Sequence, residues 1–256
     1  MHLINSVLVY HVSLVSPAAE LSLFGSDSDS LKSSVPPLFL ASTALGQPQT
    51  IPPLLFAFLD VPQGYWARDF IAPLVNRGIL QGFPDGSFRP NQTMTRAEFA
   101  VLLSQFPWSD WMTPSKPIAG TQFADVSHGH WAATAIARVT QWGLMQGDPD
   151  GRFRPQQSIS RLEALLTLSK GIRKAPLDLA VLSAYHDRFV IPPQAQEAIA
   201  LAAQHQLVVT YPDPHFLNPK RLATRAEICA FLHQFLTYRG EIAPIQSPYI
   251  SIVHSP

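Results

Sequence analysis

Apolar positions along this 256-residue chain fall in short clusters, separated by polar stretches that carry Pro and Gly. Phe70, Ile71, Leu74 and Val75 make one stripe, and Phe99, Leu102 and Leu103 make the next. The pattern returns at Leu165, Leu166 and Leu168, and again at Ile228, Phe231 and Leu232. Steps of three and four residues put each set on one face of a helix, so each cluster predicts a short amphipathic helix. Gly78 and Gly143 follow the first helix of their units, where a left-handed helix end favours glycine. Pro73 falls inside the first predicted helix and should kink it or mark a late start. Pro84-Asp85-Gly86 and Pro149-Asp150-Gly151 read as turns. Thr95-Arg96-Ala97-Glu98 then reads as a capping box, a hydroxyl at the N-cap and a carboxylate three residues on. Ser160-Arg161-Leu162-Glu163 and Thr224-Arg225-Ala226-Glu227 repeat it.

These elements recur in a fixed order. At an offset of 65, residues 58–103 match residues 123–168 without a gap, and 21 of 46 positions are identical. The shared frame runs Phe58-x-Asp60-Val61, Trp66-Ala67, Gly78, Gly82-x-Pro84-Asp85-Gly86-x-Phe88-Arg89-Pro90, Arg96-x-Glu98. Its counterpart runs from Phe123 to Glu163. A third copy is worn. Asp187 stands for the first Asp, Ala198-Ile199 for Ala135-Ile136, and Tyr211-Pro212-Asp213-Pro214-x-Phe216 for the turn. The expected organisation is a leader over 1–55, repeats over 56–105, 121–170 and 182–237, and a Pro-rich tail over 238–256. Each unit reads as helix, loop, helix. One such unit is too short to bury its apolar faces, so three are expected to pack together. The connectors, with Trp108, Trp111, Pro114 and Pro117 in the first, are expected as ordered loops over the surface.

Composition narrows the function classes. Lys+Arg and Asp+Glu are both 18, so no basic excess points to nucleic acid. The lone cysteine, Cys229, lies in an apolar helical stretch and reads as a small buried hydrophobe. Asp148-x-Asp150-Gly151 lacks the acid at position twelve that a calcium loop needs, since Ile159 stands there. His128-Gly-His130 reads as surface loop, and no metal or cofactor is expected. No catalytic elbow, paired-acid site or phosphate loop is present, so no enzyme is expected. In the leader, Lys32 precedes a short apolar run, 35–46, that resembles a signal-peptide core and cleavage zone, the alternative being a disordered leader.

The combined motif, Phe-x-Asp-Val, Trp-Ala, Gly-x-Pro-Asp-Gly-x-Phe-x-Pro and Thr-Arg-Ala-Glu, resembles the S-layer homology (SLH) domain family. The resemblance is close in the first two repeats and partial in the third. It implies an all-α pseudo-threefold spindle around a central three-helix bundle. It also implies non-covalent anchoring to the cell envelope, outside the cytoplasm, through a wall polysaccharide, often pyruvylated, or a peptidoglycan-linked polymer. The grooves between repeats are the implied sites, and the Arg of the capping box is the implied contact.

Arg96, Arg161 and Arg225 are thus candidate glycan contacts. Each would sit beside a helix N-terminus, whose free amides favour an anion. The alternative is that each pairs with an acid of the neighbouring repeat and only holds the spindle. Trp66 and Trp131 could stack on a sugar or fill the core. Asp85, Gly86, Asp150 and Gly151 could line the site or shape the turn. Thr95, Glu98, Ser160, Glu163, Thr224 and Glu227 are expected as caps. Two readings of the whole stay open: an envelope-binding module, and a helical protein-interaction scaffold of the same fold. The weak third repeat leaves self-association open as a further partner mode.

Overall fold

The computed structural model describes residues 58–251 except 111–122 and 174–175. The leader and its signal-like run, Trp111, Pro114 and Pro117 lie outside the described residues. Among the described residues six α-helices carry the fold, in pairs: α1 Arg68–Asn76 and α2 Arg96–Ser104; α3 Ala133–Gln141 and α4 Arg161–Ser169; α5 Gln196–Gln204 and α6 Arg225–Tyr238. The architecture is all-α, and among the described residues the only β contacts are isolated bridges.

Local chemistry explains the element ends. Thr95, Ser160 and Thr224 cap α2, α4 and α6, each accepting from the amide of Glu98, Glu163 or Glu227, whose carboxylate reaches back to the cap amide. Gly78 and Gly143 follow α1 and α3 at φ +70° and +69°. In the third repeat Gln206 takes that conformation at φ +58°, a left-handed residue that costs more without glycine. α1 begins five residues before Pro73 and runs on to Asn76, so Pro73 does not mark a late start.

The pairs interlock in a ring. The first helix of each unit packs on the second helix of the unit before it: α3 on α2, α5 on α4, and α1 back on α6. The capping segments meet in a closed cycle of backbone hydrogen bonds: Met94 N–H to Ala223 O, Ala223 N–H to Ile159 O, and Ile159 N–H to Met94 O, at 2.8–3.1 Å. Three units of one chain therefore complete the pseudo-threefold. α6 is the most enclosed helix, buried from Arg225 through Leu236.

Asp60, Asp125 and Asp187 tie each unit to its own turn. Each carboxylate accepts two successive amides: Phe88 and Arg89, Phe153 and Arg154, Leu217 and Asn218. This corrects the register of the third repeat. Leu217, fully buried, takes the place of Phe88 and Phe153, while Phe216 is exposed. The worn turn holds one more residue than its counterparts, and the Asp anchor absorbs the slip.

Two connecting stretches are more deeply built than expected. Trp108 is buried, its indole N–H donating to Leu103 O at 2.7 Å and its ring stacked 5.7 Å from Phe235. The segment after α6 folds back onto the third repeat. Ile242 and Ile250 are buried, Thr210 N–H donates to Tyr249 O, Ser251 N–H donates to Val208 O, and Tyr185 donates to Ser251 Oγ at 2.7 Å.

Candidate functional site

The capping arginines turn inward. Arg96 donates to Phe153 O, Gln146 O and Glu163, all in the second unit. Arg161 donates to Leu217 O, Val209 O and Glu227 in the third. Arg225 closes the cycle, donating to Phe88 O and Gln81 O in the first. Each guanidinium also lies over the ring or helix it clamps: Arg96 over Phe153 at 4.7 Å, Arg161 over Phe231 at 5.0 Å, Arg225 over Phe88 at 4.6 Å. Arg161 is 0% exposed. Burial pulls its pKa down, and the Glu227 carboxylate opposes that pull.

The helix N-termini are spent in the same way. The Arg96 and Ala97 amides donate to Gln157 O and Pro155 O, those of Arg161 and Leu162 to Arg221 O and Pro219 O, and those of Arg225 and Ala226 to Gln92 O and Pro90 O. The free amides expected to draw an anion beside each arginine are therefore occupied by carbonyls of the neighbouring unit. Arg96 and Arg161 each pair with an acid of the neighbouring repeat, while Arg225 donates there to carbonyls. A buried amide or guanidinium must find a partner, and the ring supplies one.

The other candidates separate. Asp85 and Asp150 shape the turns, each accepting an amide two residues on and pairing with Arg89 or Arg154. Hydrogen bonds from Ser87 and then Arg89 hold the Asp85 carboxyl below its ordinary range. Gly86 and Gly151 adopt φ +80° and +77° in those turns. Trp131 is 48% exposed, with His130 stacked on it. Trp66 is half-buried and stacks on Tyr211, centroids 4.9 Å apart and planes 7° from parallel, with Tyr249 edge-on to both.

That aromatic wall borders an open groove of about 330 Å³ between the third and first units. Its floor and rim hold Asn91, Pro212, Asn218, Arg221, Thr224 and Glu227. Glu227 Oε1 accepts from both Arg161 and Arg221, and Glu227 Oε2 holds the α6 cap. The groove thus offers a flat apolar face opposite polar and charged groups.

The S-layer homology domain family matches residues 57–100 and 122–165. The first two repeats are S-layer homology domains. The chain is also 34% identical to a cellulosome-anchoring protein of Acetivibrio thermocellus over 49% of this chain and 28% of that protein. It is 34% identical to cell surface glycoprotein 1 of the same organism, over 63% of this chain and 7% of the relative. Identity to outer membrane protein SlpA of Deinococcus radiodurans is 34%, over 44% and 10% of the two chains. The chain spans less than a third of each of these relatives.

The third repeat shares the SLH frame by its geometry: the Asp187 anchor and the Thr224 capping box make the same bonds as in the first two, and Arg225 makes the two carbonyl bonds of the clamp without the bond to a Glu. Sequence reasoning missed the groove residues Arg221 and Tyr211, and Tyr249, which packs edge-on against the aromatic wall. Arg221 had a signal. It stands three residues before the N-cap, where the SLH repeats above have Gln92 and Gln157.

Proposed function

We propose that this protein is a non-catalytic anchor that binds the cell envelope non-covalently, outside the cytoplasm. Its ligand is an anionic cell-wall polysaccharide, a pyruvylated one included, or a peptidoglycan-linked polymer. The observation that carries this reading is the groove between units, where the Trp66–Tyr211 wall faces amide and charged groups. Sugars are held by this combination, an aromatic face for the C–H surface and polar groups for the hydroxyls. The SLH match and the anchoring and surface relatives support the same reading.

A second reading is a protein-interaction scaffold. Phe189 is 82% exposed, and Leu177, Leu179 and Val190 are exposed near it in sequence. The deciding experiment is co-sedimentation of the full chain with purified sacculi, before and after acid removal of wall polysaccharide. Sedimentation with untreated sacculi alone supports the anchor. Failure to sediment with either preparation sinks it and leaves the scaffold.

A further inference from the structure

The three boundaries between units share one frame but are not charged alike. At two of them a capping Glu pairs with the Arg of the preceding unit. At Glu163 the partner is Arg96. At Glu98 the corresponding arginine, Arg225, donates to Phe88 O and Gln81 O, and among the described residues it forms no ion pair with Glu98. At Glu227 there are two cations, Arg161 from the second unit and Arg221 from its own. Since Arg161 alone already neutralises Glu227, Arg221 is a surplus charge. Its side chain is 44% exposed. Its Nη2 donates to Glu227, and among the described residues Nε and Nη1 have no partner.

Other cations near the repeats are not comparable. Arg89 and Arg154 stand where the third unit has Asn218, and both are held by acids of their own turns. Arg89 pairs with Asp85, and Arg154 pairs with Asp148 and Asp150. The aromatic wall is asymmetric too. The position two residues before the first helix is Trp66 in the first unit, Trp131 in the second and Gln194 in the third. The boundary between second and third units therefore lacks the tryptophan, and the one between first and second has Gln92 in place of the cation. Only the groove between third and first units combines Trp66 with Arg221.

We propose that this one groove binds the anionic ligand, with Arg221 donating its free N–H groups to a carboxylate while the sugar lies against Trp66 and Tyr211. This deepens the anchor reading and rests on it. A guanidinium suits the task because two of its N–H groups meet both oxygens of a carboxylate at once. The chain then binds through one site, not three equivalent ones.

The test uses the full chain and purified sacculi, with binding isotherms from sedimentation of the wild type and of Arg221→Gln, Arg221→Lys and Arg188→Gln. Arg221→Gln installs the residue found at the same place in the other two units. Arg188→Gln removes the same formal charge at a site outside this groove. Melting curves confirm that each variant folds. Arg221→Gln should weaken binding on the order of tenfold or more, since a charge-assisted contact is lost. Arg221→Lys should recover part of the loss, and Arg188→Gln should bind as wild type. Wild-type binding should also weaken as salt rises, because the contact is exposed. If Arg221→Gln binds as tightly as wild type while acid-stripped sacculi bind neither, the single-groove assignment is wrong and wall binding stands. If the wild type does not bind untreated sacculi, both fail.

Discussion

Arg161 Nη1 lies 2.7 Å from Glu227 Oε1 across the boundary between the second and third units, with Arg161 wholly buried and the Glu227 side chain 3% exposed. The same guanidinium holds two carbonyls of the third unit. Removing it strands those acceptors in the interior. Arg161→Ala should lower unfolding free energy by about 3–5 kcal/mol. Arg96→Ala, whose partner Glu163 is far more open to water, should cost less, about 1–3 kcal/mol. Urea titrations of both variants check this. Equal losses would show that burial of the pair does not set its weight.

Gly82 packs where a side chain has no room. A Cβ there would lie 2.2 Å from the Phe58 ring and 2.7 Å from Ser87 O. Gly82→Ala should therefore destabilise by about 1–3 kcal/mol through overpacking. The midpoint of thermal or urea unfolding reads this directly, and an unchanged midpoint would mean that Phe58 yields without cost.

His233 is fully buried in α6, its Nε2 without a hydrogen-bond partner among the described residues and its ring edge-on to Phe70. Burial holds its pKa below the ordinary 6.5, and burial does the same to His205. The unfolded chain takes up a proton near pH 6.5 while the folded chain resists it. Stability contributed by the neutral ring is thus complete above 6.5 and falls as pH drops toward the folded value. Melting temperature should decline between about pH 7 and 5, and His233→Met should decline less steeply. Parallel declines would exclude His233 as a source.

The stretch after α6 closes the third unit and supplies Tyr249 to the aromatic wall. A chain ended at Gly240 loses the buried Ile242 and Ile250 and the Tyr185–Ser251 bond. Each buried aliphatic is worth about 1.5–3 kcal/mol, so the truncated chain should melt well below the full one. Its fluorescence should also shift as Trp66 loses its edge-on partner. A truncation that melts normally would show that the third unit holds without this strap.

Cys229 is buried in α6, and burial pushes its thiol up to about 12. It should stay unreactive to a thiol probe such as DTNB at neutral pH until the chain unfolds. Labelling under native conditions would overturn its place in the core.

Much of this protein was legible in sequence because its rules are local. A capping box closes within three residues, a turn within four, and a helical stripe within two turns. Those motifs recur, at a fixed offset of 65 in the first two units, so the first two repeats, the all-α fold and the helix starts at Arg96, Arg161 and Arg225 followed from residue order. What the arginines do was decided elsewhere. Their partners lie 48 to 144 residues away, and only closure of the ring brings carbonyls of the next unit over each helix end. The same closure moved Leu217 into the place expected for Phe216 and buried Trp108 against Phe235. It also set Arg221 beside a carboxylate that Arg161 had already neutralised. Charge balance in a groove depends on which side chains share it, and that is a property of packing across units.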